Sequence, residues 1–189
     1  MPPRLYEKGR FVRHPLEQRF NAGAWDILSA IERGFRAQVD VKGKLAEWFL
    51  FNHLTELQRK GLIQKVDWRD RDGIPDFLIE VRGKELQMEC KNIRSGKVGP
   101  FGWRVEIQKT RSQIGGGPAR GYRADEFDIL AACLFNQSGN WSYLYSAAIN
   151  LDRRPLHPDY LVIMQKVPAT ASGHWRANFE DAINEVIGP

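Results

Sequence analysis

Apolar and polar positions alternate most regularly in two neighbouring stretches, 73–81 and 84–92, which Arg82-Gly83 separates. Both are rich in strand-forming residues, and a short glycine-containing turn between two such arms predicts a β-hairpin. Counting outward from Arg82 and Gly83 pairs Val81 with Lys84, Glu80 with Glu85 and Asp76 with Glu89. Side chains two apart on a strand share a face, so Lys91 points the same way as Glu89. Asp76, Glu89 and Lys91 are thereby expected on one face. Phe77, Ile79, Val81, Leu86, Met88 and Cys90 fall on the other, the core face. A four-residue loop centred on the same bond keeps this register, whereas a three-residue loop would slip it by one and scatter the trio.

Elsewhere the periodicity is mixed. Ala24, Ile27, Leu28, Ile31 and Phe35 recur at helical spacing, and Gly34 weakens the end of that helix. A second helix is expected from Asp40, read as its N-cap, to about Lys60, where Gly61 stops it. Its apolar face holds Ala46, Phe49, Leu50, Leu54 and Leu57, with Glu47 near the edge. Strands are expected over 63–68, 103–109, 125–135, 141–149 and 160–167, and a short amphipathic helix over 179–187. The 125–135 stretch is nearly all apolar from Phe127 onward, as a strand buried on both faces would be. Residues 1–22 mix Pro, Arg and single aromatics without a clean period and read as an arm. The order of elements makes this an α/β chain, most simply one domain with a core over 40–165 and a C-terminal helix within 175–189.

Composition narrows the class. At 189 residues, with 42% hydrophobic residues and six tryptophans, the chain can bury a substantial core without staples. No apolar run approaches the roughly 20 residues of a membrane-spanning helix, and the start Met1-Pro2-Pro3-Arg4 lacks a signal-peptide core. Cys90 and Cys133 both fall in expected strands and read as reduced core thiols of a cytoplasmic protein. The net charge of +5 is unevenly spread. Residues 91–123 carry eight Lys/Arg against the single acid Glu106, the first twenty residues add +3, and the remainder is acidic. A phosphate-binding face requires such localisation, although a ribbon that only keeps the protein soluble shares it. Arg94, Lys97, Arg104, Lys109, Arg111, Arg120 and Arg123 are the expected nucleic-acid contacts, with Tyr122 stacking or packing after Gly115-Gly116-Gly117-Pro118.

Opposed acids on adjacent strands repel by roughly 0.2–1 kcal/mol unless a cation sits between them. Hard oxygen ligands of this kind suit Mg²⁺, and a nearby lysine can orient water or stabilise charge on a reacting phosphate. The same spacing also fits a solvent-facing strand pair with ordinary charges.

Residue order adds to this. Pro75-Asp76 followed by Glu89-Cys90-Lys91 on the next strand resembles the PD-(D/E)xK nuclease signature, shared by restriction endonucleases and by recombination and repair nucleases. The resemblance spans about residues 40–165. It implies a restriction-endonuclease-like core, with a mixed central β-sheet flanked by helices. It implies Mg²⁺-dependent hydrolysis of DNA phosphodiesters, Mn²⁺ substituting, with products carrying 5′-phosphate and 3′-hydroxyl ends. Asp76 and Glu89 would hold the metal with the Cys90 backbone carbonyl. Glu47, in Gly43-Lys44-Leu45-Ala46-Glu47, would assist from the preceding helix. Lys91 would position or activate water, and Gln108 resembles a polar residue that recurs just past this strand, with Lys109 a competing candidate. A type II restriction enzyme acting as a homodimer is the expectation. A junction-resolving or repair nuclease and a nucleic-acid-binding module without catalysis are the alternatives.

Overall fold

The structure of the chain, a computed structural model, describes residues 6–7, 10–11, 13–71, 73–96, 102–108 and 121–188. It divides into two compact units, Met1–Lys42 and Gly43–Pro189.

The stretch 1–22, read as an arm, carries short regular elements. Strands β1 (Tyr6–Glu7) and β2 (Arg10–Phe11) pair antiparallel, and helix α1 (Pro15–Phe20) follows. His14 Nδ1 accepts from the Leu16 N–H at 3.1 Å while Glu17 accepts from the His14 N–H at 2.7 Å, a reciprocal cap. A helix this short is under two turns and prints no period on the sequence. Helix α2 (Ala24–Arg33) ends at Gly34 as expected, but it contains no buried residue, and Leu28 is 60% exposed. Helix α3 (Phe35–Arg59) starts well before Asp40, which is therefore not its cap. The Gln38 N–H already bonds the Gly34 carbonyl at 2.9 Å, so helical turns run straight through Asp40.

The second unit is built on a five-stranded mixed sheet. Its strands are β3 (Lys65–Trp68), β4 (Phe77–Val81), β5 (Lys84–Asn92), β7 (Ile129–Cys133) and β8 (Tyr143–Ala147), side by side in that order. Every neighbouring pair is antiparallel except β5 and β7, which run parallel. Strand β6 (Trp103–Glu106) leaves this sheet and pairs antiparallel with β11 (Met164–Val167). Helix α4 (Phe135–Ser138) takes the place of the expected turn after β7. Strands β9 (Arg153–Arg154) and β10 (His157–Leu161) pair with each other, and helix α5 (Phe179–Ile187) closes the chain. The single strand expected over 160–167 is thus two. The Val162 N–H bonds the Asp152 carbonyl and the Ile107 N–H bonds the Ile163 carbonyl, each at 2.8 Å, so the chain changes partner at that step.

The hairpin of β4 and β5 has the expected register, Glu80 opposite Glu85 and Phe77 opposite Met88. Its turn places Arg82 at φ 52° and Gly83 at φ 72°. Two positive values make a primed turn, whose twist matches that of the flanking strands. Strand β7 is buried on both faces. Ile129, Ala131 and Cys133 join Phe77, Ile79, Val81, Leu86, Met88 and Cys90 beneath Ala46, Leu50 and Leu54 of α3 and Phe179, Ala182 and Ile183 of α5. Leu130 and Ala132 face the other way, onto Ile93, Val105, Ile107, Tyr122 and Val167. Each fully buried side chain of this kind contributes about 1.5–3 kcal/mol. Helices therefore cover one face, and the β6–β11 pair lies over the other.

Candidate active site

Pairing with β7 decides where the charged residues of β5 go. Glu89 lies opposite Leu130 and Lys91 opposite Ala132, so both belong to the face away from α3 and α5. Asp76 ends the turn before β4, one residue beyond the Phe77–Met88 pair, and so reaches the same end of β5. Its Oδ2 accepts from the Cys90 N–H at 2.8 Å and lies 3.6 Å from Lys91 Nζ. Lys91 donates to Glu89 Oε1 and to the Cys90 carbonyl, the latter at 3.3 Å. Asp76, Glu89, Lys91 and the Cys90 carbonyl are gathered in one place. An ammonium between two carboxylates relieves their repulsion.

Glu89 is only 1% exposed. Its Oε1 also accepts from the Tyr122 hydroxyl at 2.7 Å, whereas its Oε2 is buried with no hydrogen-bond partner among the described residues. Burial pushes the Glu89 carboxyl up from its ordinary range, Lys91 opposes that and Asp76 adds to it. Burial works against the charge on Lys91, but the two carboxylates outweigh it and hold the ammonium well above its ordinary value. A buried unpaired acceptor costs about 1–3 kcal/mol, more for a charged group. Such an oxygen suits a cation. Mg²⁺ commonly takes one or two carboxylates and fills its shell with water and phosphate, so these donors fit it.

Glu47 is positioned differently. It sits on α3, 8% exposed, and its Oε2 accepts from Lys44 Nζ at 2.8 Å and from the Trp68 indole N–H at 2.9 Å. Lys44 also bonds Asp70 Oδ1 at 2.8 Å. Burial, then the nearby charge of Asp76, raise the Glu47 carboxyl, while Lys44 and Trp68 lower it. Among the described residues no three His, Cys, Asp or Glu side chains form a group that could hold a metal ion. Glu47 is thus held by a lysine and an indole, near Asp76 but outside a three-carboxylate cluster.

The remaining expected residues spread out. The Gln108 amide donates to Glu106 Oε1 at 2.6 Å, which ties it to β6. Arg94 is exposed, 3.6 Å from Glu106. Arg104 lies on β6, opposite Lys166. Arg123 is exposed but bound to Asp125 at 3.1 Å. Lys97, Lys109, Arg111 and Arg120 lie outside the described residues. Tyr122, expected either to stack on nucleic acid or to pack, packs: it is 8% exposed, meets Phe127 edge-on and gives its hydroxyl to Glu89. Its lone aromatic ring in a basic, glycine-rich stretch suggested a ligand-facing residue, and nothing local to it pointed to Glu89. Trp68 was likewise legible only as a strand residue.

The sequence matches no protein-family model and no curated relative. Solved structures include a similar one. It is a bacterial homing endonuclease, I-Ssp6803I, at 17% identity and a TM-score of 0.42, covering 58% of this chain and 68% of that one. A likeness this slight carries no activity across.

Proposed function

We propose that this chain is a metal-dependent endonuclease that hydrolyses DNA phosphodiester bonds, of the PD-(D/E)xK kind and nearest in role to a type II restriction enzyme. The observation that carries the reading is the meeting of Asp76, Glu89 and Lys91 at one end of the hairpin, with Glu89 Oε2 buried and unpartnered. Asp76 and Glu89 would hold Mg²⁺ with the Cys90 carbonyl. When bound, the ion supplies Lewis-acid polarisation of the phosphate and a more acidic water. The protein's own residues do the rest. Lys91, held as an ammonium by its two carboxylates in the metal-free site, would position or activate water. It orients the attacking water and offers charge to the phosphate as negative charge builds there. Glu47, clamped by Lys44 and Trp68 beside Asp76, would assist the metal site from α3. The basic residues of 91–123 supply contacts to the DNA backbone. One such site cuts one strand, and a homodimer would bring a second to the other.

The test is plasmid cleavage by the purified chain with and without Mg²⁺, beside Glu89→Ala. Cleavage that requires Mg²⁺ or Mn²⁺ and disappears in Glu89→Ala, while mobility-shift binding to a duplex survives, supports the reading. Full cleavage by Glu89→Ala ends it.

A further inference from the structure

Among the described residues, Glu89 has two donors on one oxygen and none on the other, and the second donor comes from far along the chain. Tyr122 lies on the segment leading to β7, and its place is set by contacts that have nothing to do with Glu89. Its ring meets Phe127 edge-on at 5.4 Å between centroids, and its carbonyl accepts from the Leu161 N–H at 2.9 Å. From this anchored ring the hydroxyl reaches Glu89 Oε1 at 2.7 Å. A phenol hydroxyl facing a carboxylate oxygen is the donor of the pair. Lys91 is the other donor to the same oxygen.

The two donors differ in what they are free to do. Lys91 is a long, flexible side chain, partly open at 27% exposure, and in the nuclease reading it must turn to the water and the phosphate. A carboxylate held by Lys91 alone would lose its orientation at that moment. The tyrosine hydroxyl, on a rigid ring packed in the core, does not move with it. We propose that Tyr122 is a positioning residue, whose hydroxyl holds Glu89 Oε1 so that Oε2 stays presented to the divalent cation while Lys91 serves the substrate. The proposal deepens the nuclease reading and rests on it.

Hydrogen-bond partners behind a metal ligand are typically worth about 10- to 100-fold in metal affinity. Tyr122→Phe keeps the ring and removes the hydroxyl. Mn²⁺ titration by calorimetry on the full chain is expected to show binding weakened by about that factor, with the metal-free melting curve little changed. The Mg²⁺ concentration for half-maximal cleavage should rise by a similar factor, while the rate at saturating Mg²⁺ changes less. Phe127→Leu, which keeps the hydroxyl and loosens the ring, should shift Mn²⁺ affinity the same way by less. Equal Mn²⁺ affinity in wild type and Tyr122→Phe overturns the proposal and leaves the nuclease reading standing. A wild type that binds no Mn²⁺ overturns that reading, and the proposal with it. If Tyr122→Phe does not fold without metal, an unshifted Phe127→Leu overturns the proposal.

Discussion

The two ends of the β4–β5 hairpin obey opposite rules. At the turn, Arg82 sits in the left-handed region at φ 52°, a conformation that disfavours a side chain. Its surroundings compensate. The Arg82 N–H donates to Gln64 Oε1 at 2.8 Å, and its guanidinium donates to the Gly188 carbonyl at 2.6 Å and to Asn184 Oδ1 at 2.9 Å. At the far end, two carboxylates meet over one ammonium, and a buried oxygen of Glu89 is left without a partner. One end spends its polar groups on closing the fold, and the other withholds them. In the proposed nuclease reading that polarity belongs to the site, because a fold selected for stability alone would pair or remove such a charge.

The sharpest way to break this contrast is to remove the ammonium. Lys91→Ala should retain metal binding and DNA binding but lose at least about a hundredfold in cleavage rate, the scale on which positioned proton donors and charge stabilisers act. Single-turnover cleavage beside Mn²⁺ calorimetry measures both. A Lys91→Ala protein that cuts at the wild-type rate would make the lysine a counter-ion for the carboxylates and nothing more.

Arg82→Ala probes the other end. Exposed hydrogen bonds are worth little each, so the expected loss is about 1 kcal/mol, or roughly 2–4 °C in melting temperature for a chain of this size. Cleavage at a permissive temperature should be unchanged. A loss of activity without a loss of stability would mean that the two ends are coupled along the strands, and the contrast drawn here would fail.

The remaining effect is on pH. The folded Glu89 carboxyl holds its proton more tightly than an ordinary carboxyl of 4.5. Its contribution to stability is therefore fully present below that value and is lost as pH rises through the folded value. A divalent cation competes with the same proton. The rise in melting temperature on adding Mg²⁺ should accordingly grow with pH upward from 4.5, by no more than about tenfold in affinity per pH unit, or 1.4 kcal/mol. Melting curves with and without Mg²⁺ across that range measure it. An increment that stays flat would show that metal and proton do not share Glu89.

What the sequence determined by itself was local or periodic. The hairpin was legible because strand alternation has a period of two and a two-residue turn leaves no freedom of register. Strand β7 was legible as buried on both faces because it has no polar position to spare, and α5 because its apolar residues repeat at helical spacing. The grouping of Asp76, Glu89 and Lys91 followed from the hairpin register alone. Tertiary structure decided the rest. It placed the Tyr122 hydroxyl on Glu89, brought the Trp68 indole to Glu47, and split 160–167 between two partners. Each of these depends on residues brought together by packing across the sheet, and periodicity records which face a side chain takes but not what it meets there.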